Sequence, residues 1–274
     1  MNYKKQYSMI PQRNQILKYF LLVILLFNVI AIHSQNEETQ DILSDRGSYS
    51  TSPFVLPSKV LQIESGFSFG KSKNENITVK SLLYNSILIR YGLSSNTEIR
   101  LQTGYERTNT GIGYQSLEEI GFNPLSIGLK LFISKEKGVL PAISFLGNLK
   151  LPYFGNKNFK PVNFAPAFFL LMENDLSERF SLNYNLGMEW DGKSADPIEF
   201  LAFSLGYSIN DNLSYFIENY YLFSDNNGRD TFIDAGFAYQ VGNNIQFDIS
   251  GGINLINSKN NYMGNVGFLW RLPK

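Results

Sequence analysis

Residues 44–69 read SDRGSYSTSPFVLPSKVLQIESGFSF, and this stretch decides the fold. A polar lead-in carrying Asp45, Arg46, Pro53 and Pro57 gives way to a segment of strict alternation. Leu61, Ile63, Phe67 and Phe69 fall on one face; Gln62, Glu64, Gly66 and Ser68 fall on the other. A period of two marks a strand whose sheet meets two different solvents. The same alternation recurs along the rest of the chain. It predicts an all-β protein, a transmembrane antiparallel up-and-down β-barrel of about 12 strands over residues 59–274.

Composition fits an exported β-protein. The 274 residues are 43% hydrophobic and 15% aromatic, too apolar for a disordered chain and enough for one large domain. There is no cysteine, so neither a disulfide framework nor a thiolate nucleophile is available.

The N-terminus has the pattern of a cleaved signal peptide over residues 1–34. Lys4, Lys5, Arg13 and Lys18 precede an apolar run from Tyr19 to Ile32. That run is too short to span a bilayer as a helix, which takes about 20 residues. Cleavage after Ser34 removes four of the 24 Lys+Arg and none of the 24 Asp+Glu, leaving 20 against 24 and a formal charge of −4. That balance gives no signal for nucleic acid. The single histidine, His33, leaves with the leader. Residues 35–58 then form a periplasmic lead-in without helix or strand period.

Candidate strands cover 60–69, 78–92, 97–105, 122–134, 139–151, 161–173, 179–190, 198–209, 213–223, 230–241, 244–256 and 262–272. The clearest run from Phe180 to Trp190, from Ile233 to Val241 and from Ile245 to Leu255. Pro166 sits awkwardly, because proline removes a ladder hydrogen bond. Connections sort by side. Even-numbered segments end in short turns such as Ser94-Ser95-Asn96 and Asn210-Asp211-Asn212, whereas odd-numbered ones mostly end in longer polar loops such as 106–121 and 152–160. Outer-membrane barrels keep short turns in the periplasm and long loops outside. An even strand count puts both termini in the periplasm. Lipid offers no hydrogen-bond partner, so a spanning sheet closes on itself. Tyr91, Tyr105, Trp190, Tyr207, Tyr215, Tyr239 and Trp270 lie near strand ends on the apolar parity, as interfacial girdles require.

The opening stretch also resembles the start of the outer-membrane barrels grouped as the MetA-pathway of phenol degradation family. The resemblance rests on Asp45-Arg46, Thr51-Ser52-Pro53, Val55-Leu56-Pro57 and Gln62-Ile63-Glu64-Ser65-Gly66 in that order. Later pieces are similar too: Arg90-Tyr91-Gly92-Leu93, Ser126-Ile127-Gly128-Leu129-Lys130, Asn185-Leu186-Gly187 with Glu189-Trp190, and Asp234-Ala235-Gly236. It covers about residues 45–272. Gly47 stands where a proline is usual, and the chain ends Leu272-Pro273-Lys274 rather than on an aromatic residue. The resemblance implies uptake of small, often aromatic or hydrophobic molecules.

The inward parity holds the candidate site. Arg90, Arg100 and Lys130 lie on early strands, with Glu64 nearby; Glu189, Glu218, Asp234 and Asp248 lie on late ones. Two arrangements follow: a field across a water-filled lumen, or charges that pair across a narrow barrel and fill it. If the hairpin at Ser94-Ser95-Asn96 centres on Ser95, Arg90 faces Arg100 directly, and like charges in that position need an acid between them. Glu98, Glu64 and Asp45 are the acids within reach. The lead-in around Asp45 folds back as a small plug on one reading, stiffened by Pro53 and Pro57, and is a flexible tether on the other.

An enzyme is disfavoured. Barrel hydrolases need a base beside a nucleophile, and the chain after residue 34 has neither His nor Cys. No cofactor and no metal site is expected; Gly111-Ile112-Gly113 reads as a loop tip, and Ser224 to Asp230 as a solvated loop with at most weak calcium affinity. The expected protein is a bacterial outer-membrane channel or transporter for small solutes, or else a closed structural barrel. Its expected partners are outer-membrane lipid, a small-molecule solute and the barrel-assembly machinery.

Overall fold

Alternating side chains give strands wherever lipid lies on one side of the backbone and the lumen on the other. The computed structural model describes residues 42–74, 76–224, 228–256 and 261–272. The expected leader, residues 1–34, lies outside the described residues, as does the start of the lead-in. Thirteen strands follow: β1 (Leu61–Asn74), β2 (Ile77–Ser94), β3 (Thr97–Ile112), β4 (Gln115–Phe122), β5 (Ser126–Ser134), β6 (Ala142–Lys150), β7 (Ala165–Asp175), β8 (Phe180–Glu189), β9 (Ile198–Ser208), β10 (Leu213–Ser224), β11 (Gly228–Val241), β12 (Ile245–Asn254) and β13 (Tyr262–Arg271).

Each strand pairs antiparallel with its neighbour, and β1 pairs with β13 from Gln62↔Arg271 to Lys71↔Tyr262. The sheet is therefore a closed barrel. β3 pairs with β5 along Thr97–Gln102 and with β4 along Tyr105–Ile112. β4 and β5 thus act as one crossing segment interrupted at Asn123, Pro124 and Leu125, and the barrel has twelve crossings.

Residues 106–121, read from sequence as a loop, are instead a hairpin that prolongs β3 and β4 beyond the barrel wall. The reason is physical. Glu106, Arg107, Thr108 and Asn109 are polar on both faces because water lies on both sides there, so no hydrophobic period announces the strand. The tip turns at Gly113, whose φ of 60° suits glycine. The turn expected at Lys135-Glu136-Lys137 is also longer, with β6 starting only at Ala142. Pro166 occupies the second residue of β7 opposite Leu149, at the strand's end, without a shift of register.

Outward side chains form an apolar belt in which Leu101, Ile127, Phe145, Phe168, Leu186, Phe203, Ile217, Ile249 and Val266 are all exposed. On a membrane barrel this is the lipid face. Near the short-turn rim, Phe180, Tyr207, Tyr215 and Phe237 make a chain of ring contacts with centroids 4.5–6.1 Å apart. At the other end Trp190 lies edge-on to Phe168 and donates from Nε1 to Ala195 O.

Candidate functional site: the lumen and residues 42–60

Inside the barrel the alternate residues are small or polar, and the space they leave is entered by the lead-in. Its last turn passes β2 at Gly92. Lys59 N donates to Gly92 O, and Gly92 N donates to Val60 O. A Cβ on Gly92 would lie 2.0 Å from Pro57 O, so only glycine admits the crossing. Lys59 takes a φ of 65°, in the left-handed region. From there the segment circles the lumen and touches wall after wall.

On one wall three cations meet three carboxylates. Arg90 and Arg100 are direct partners in the β2–β3 register. Arg90 donates to Glu98 from Nε and Nη2 at 2.8 and 2.9 Å, and to Glu64 from Nη1 at 2.8 Å. Arg100 reaches Glu98 at 3.1 Å. Asp45 Oδ2 accepts from Arg100 and from Lys130 Nζ at 2.9 Å, and Arg90 Nη1 lies 3.5 Å away. Asp45 Oδ1 has no partner among the described residues. Arg90, Lys130, Glu64 and Glu98 are fully buried. Burial alone would raise the Asp45 carboxyl, but Arg90, Lys130 and Arg100 hold it well below the ordinary carboxylate range.

The acids Glu218, Asp234 and Asp248 lie on β10, β11 and β12, and the same segment meets this acidic wall with different groups, Arg46 linking β12 back to β2. Arg46 Nε donates to Asp248 at 3.2 Å and Arg46 Nη1 to Ser86 at 2.9 Å. Its guanidinium lies where a Cβ on Gly66 or Gly267 would stand, which makes these two glycines its cradle. Glu218 accepts the N–H groups of Tyr49 and Ser50 at 2.7 and 2.8 Å. Asp234 is buried directly across from Glu218, and its Oδ1 has no partner among the described residues. Between the walls, Thr51 N donates to Asn185, Lys130 donates to the carbonyls of Ser52 and Phe54, Ser144 donates to Pro53 O, and Leu56 N donates to Glu98.

The structure thus brings Glu64, Arg90, Arg100, Lys130 and Asp45 into one cluster, and Arg46 together with Asp248 into another. The two charged walls do not pair with each other directly; the lead-in lies between them. Glu189 belongs to neither cluster. It sits at the long-loop rim, 3.5 Å from Lys150, with both side chains more than a third exposed. Pro53 is buried in the lumen, and Pro57 starts the turn that leads into β1 through its carbonyl bond to Val60 N. The loop reading of Ser224 to Asp230 rests in part on residues outside the described ones.

Sequence reasoning missed three features. Asn183 and Asn185 of β8 both donate to Thr51 O; their place on the polar parity was the available signal. An aromatic group lines the lumen beyond Glu218, where Tyr49 stacks on Tyr220 at 4.2 Å and Tyr220 on Phe232 at 4.8 Å. Phe200 and Phe169 meet edge to face beside it. Tyr49 is 52% exposed, so part of its ring remains open to the lumen. Third, a cavity of about 390 Å³ opens at the long-loop end, with Lys150, Lys160, Lys193, Gln102, Ser126 and Asp191 among its lining.

A closed antiparallel barrel with an apolar outer belt and a polar, charged interior is the architecture of outer-membrane β-barrel proteins. The sequence matches the family described as "Putative MetA-pathway of phenol degradation" over residues 44–272, and the chain belongs to that family. No curated protein matches it. Among solved structures it is similar to an outer-membrane channel from Pseudomonas putida F1, with 12% identity, 84% of this chain and 100% of that chain covered, and a TM-score of 0.61. It is also similar to the KdgM porin in complex with disordered oligogalacturonate, with 10% identity, 77% and 99% covered, and a TM-score of 0.53. The translocator domain of the autotransporter NalP from Neisseria meningitidis has 12% identity, 79% and 90% covered, and a TM-score of 0.51. These likenesses concern the fold.

Proposed function

We propose that the chain is an outer-membrane channel for small solutes, aromatic or hydrophobic ones included, and that residues 42–60 are its plug. The observation that carries this reading is the course of the lead-in through the lumen, bonded to both charged walls. A barrel with a purely structural role has no need of a separate segment that fills its interior through side-chain-to-backbone bonds. The aromatic group around Tyr49, Tyr220 and Phe232 supports an aromatic solute, since offset stacking is worth about 0.5–1.5 kcal/mol beyond area burial. The residues at this site form ion pairs and backbone hydrogen bonds; among those described, no group of His, Cys, Asp and Glu could hold a metal ion. In this reading residues 1–34 are a cleaved leader, both termini of the mature chain are periplasmic, and the barrel-assembly machinery inserts it.

Deleting residues 36–52 tests the plug. In planar bilayers the truncated barrel shows larger discrete conductance steps than the full mature chain, and its thermal stability is lower. Equal conductance and equal stability make the segment a tether. Silence from both forms makes the protein a closed structural barrel.

A further inference from the structure

The Asp45 socket has the chemistry of a carboxylate-binding site. Arg90, Arg100 and Lys130 all aim at one oxygen of Asp45, while the other oxygen is left without a partner. Glu64 and Glu98 balance two of the three cations. Without Asp45 the cluster carries one uncompensated positive charge, buried and already lined with donors. Such a charge demands an anion.

The way to the socket is prepared as well. Gln102 and Ser126 are partners in the β3–β5 register and lie on the lumen parity, two residues from Arg100 and four from Lys130. Both line the cavity at the long-loop end, so the cavity begins two residues along β3 from Arg100. It is a built space. Loop 151–164 is fixed to the strand break, where Asn156 N donates to Phe122 O and Phe122 N donates to Asn156 Oδ1. Gly155, at a φ of 100°, packs against the Phe122–Pro124 backbone so closely that a Cβ there would stand 3.0 Å from Phe122 O, Asn123 C and Pro124 N. Asn163 N in turn donates to Gly192 O, which clasps this loop to loop 190–197.

Charge in the cavity is arranged for an anion. Of its acids, Asp191 is engaged by the N–H groups of Lys193 and Ser194 at 2.7 and 2.9 Å. Glu189, at the rim, faces Lys150. Glu106, behind Asn123, accepts from Asn123 Nδ2 and from Thr108. Lys160 and Lys193 line the cavity and form no ion pair among the described residues, although the charge of Lys193 also acts on Asp191.

We infer that the channel takes organic carboxylates: Lys160 and Lys193 gather the anion in the outer cavity, and its carboxylate replaces Asp45 between Arg100 and Lys130. Asp45 is then a tethered stand-in for the solute, and arrival of the solute releases the plug. This rests on the channel reading above and names its solute class.

Benzoate is the probe, and benzamide, of the same shape without the charge, is the control. Titration calorimetry on the full mature chain in detergent shows benzoate binding Asp45→Ala at least ten-fold more tightly than the wild type. Benzamide binds both equally weakly. The wild type gives a second test that needs no folding of the Asp45 variant. With Ser48→Cys as the sole thiol, benzoate speeds labelling by an impermeant maleimide several-fold over benzamide, and Lys160→Gln with Lys193→Gln removes that gain. Equal effects of benzoate and benzamide in both measurements overturn the carboxylate assignment and leave the channel reading standing. Absence of conductance from the plug deletion removes the channel reading itself, whatever binds at the socket.

Discussion

Asp45 and Arg46 are adjacent in sequence and serve different strands, the first reaching Arg100 of β3 and Lys130 of β5 and the second Asp248 of β12 and Ser86 of β2. Neighbouring residues in an extended chain point opposite ways, so one dipeptide engages the wall from β12 round to β5. Removing one partner of a buried ionic cluster leaves the others uncompensated, which costs about 3–5 kcal/mol. Asp45→Ala therefore lowers stability by about that amount in urea unfolding of the reconstituted protein, and Pro53→Ala, which keeps the carbonyl used by Ser144, lowers it far less. The pH dependence has a definite sign. A carboxyl depressed on folding stabilises above its unfolded pKa and loses that contribution as pH falls through the folded value. Asp45 is held below its ordinary 3.8, so its own contribution to the stability gap between wild type and Asp45→Ala is complete by about pH 5 and is lost only in stronger acid. A gap that already closes at pH 6 contradicts the assignment.

Individual strands keep one face for lipid and one for the lumen, and a charge tells the faces apart. Ile217, in the middle of β10, is exposed on the outer belt. Ile217→Arg costs about 2–4 kcal/mol near the bilayer midplane, whereas Gln240→Arg on the lumen parity of β11 is much milder. Equal folding yields in lipid vesicles would mean the register is shifted by one residue. Gly92→Ala acts on a different element: its methyl meets Pro57 O, so the lead-in shifts and impermeant labelling of Ser48→Cys rises. The parts of these elements that sequence makes legible are those with lipid on one side. The alternation from Phe180 to Glu189 or from Ile233 to Val241 marks β8 and β11 within a few residues, and centring the hairpin on Ser95 places Arg90 opposite Arg100, a pairing the structure reaches with a tighter turn between Ser94 and Thr97 and a register shift between Gly92 and Ser94. The β3–β4 extension was hidden because water bathes both its faces. The lumen contacts were hidden for another reason: Tyr49, Ser50, Thr51 and Leu56 bond through backbone N–H groups, which every residue carries. Side-chain patterns do not reveal them.

Across the molecule, strand length varies from 8 residues in β4 to 18 in β2. The long strands β1, β2 and β3 adjoin one another, and β4 pairs with the outer half of β3, so one side of the barrel rises past the membrane-spanning belt. That side carries the hairpin tip near Thr110, opposite in direction to the turn at Asn96. With loops outside and turns in the periplasm, a single cysteine at Thr110 reacts with an impermeant reagent on intact cells and one at Asn96 does not. The reverse pattern inverts the orientation. The native chain has no thiol to interfere.

The circular path of residues 42–60 has a further consequence, for the order of folding. The segment is made before any strand, yet its bonds reach β1, β2, β3, β5, β6, β8, β10 and β12. No early intermediate contains all of these partners, and contacts so distant in sequence form slowly. A segment synthesised before every strand is thus the last to lock, and its locking registers that the seam between β1 and β13 has closed. In refolding experiments the gel shift of the closed barrel precedes protection of Ser48→Cys from labelling. A variant that weakens the β1–β13 seam slows both, whereas Asp45→Ala slows only the second.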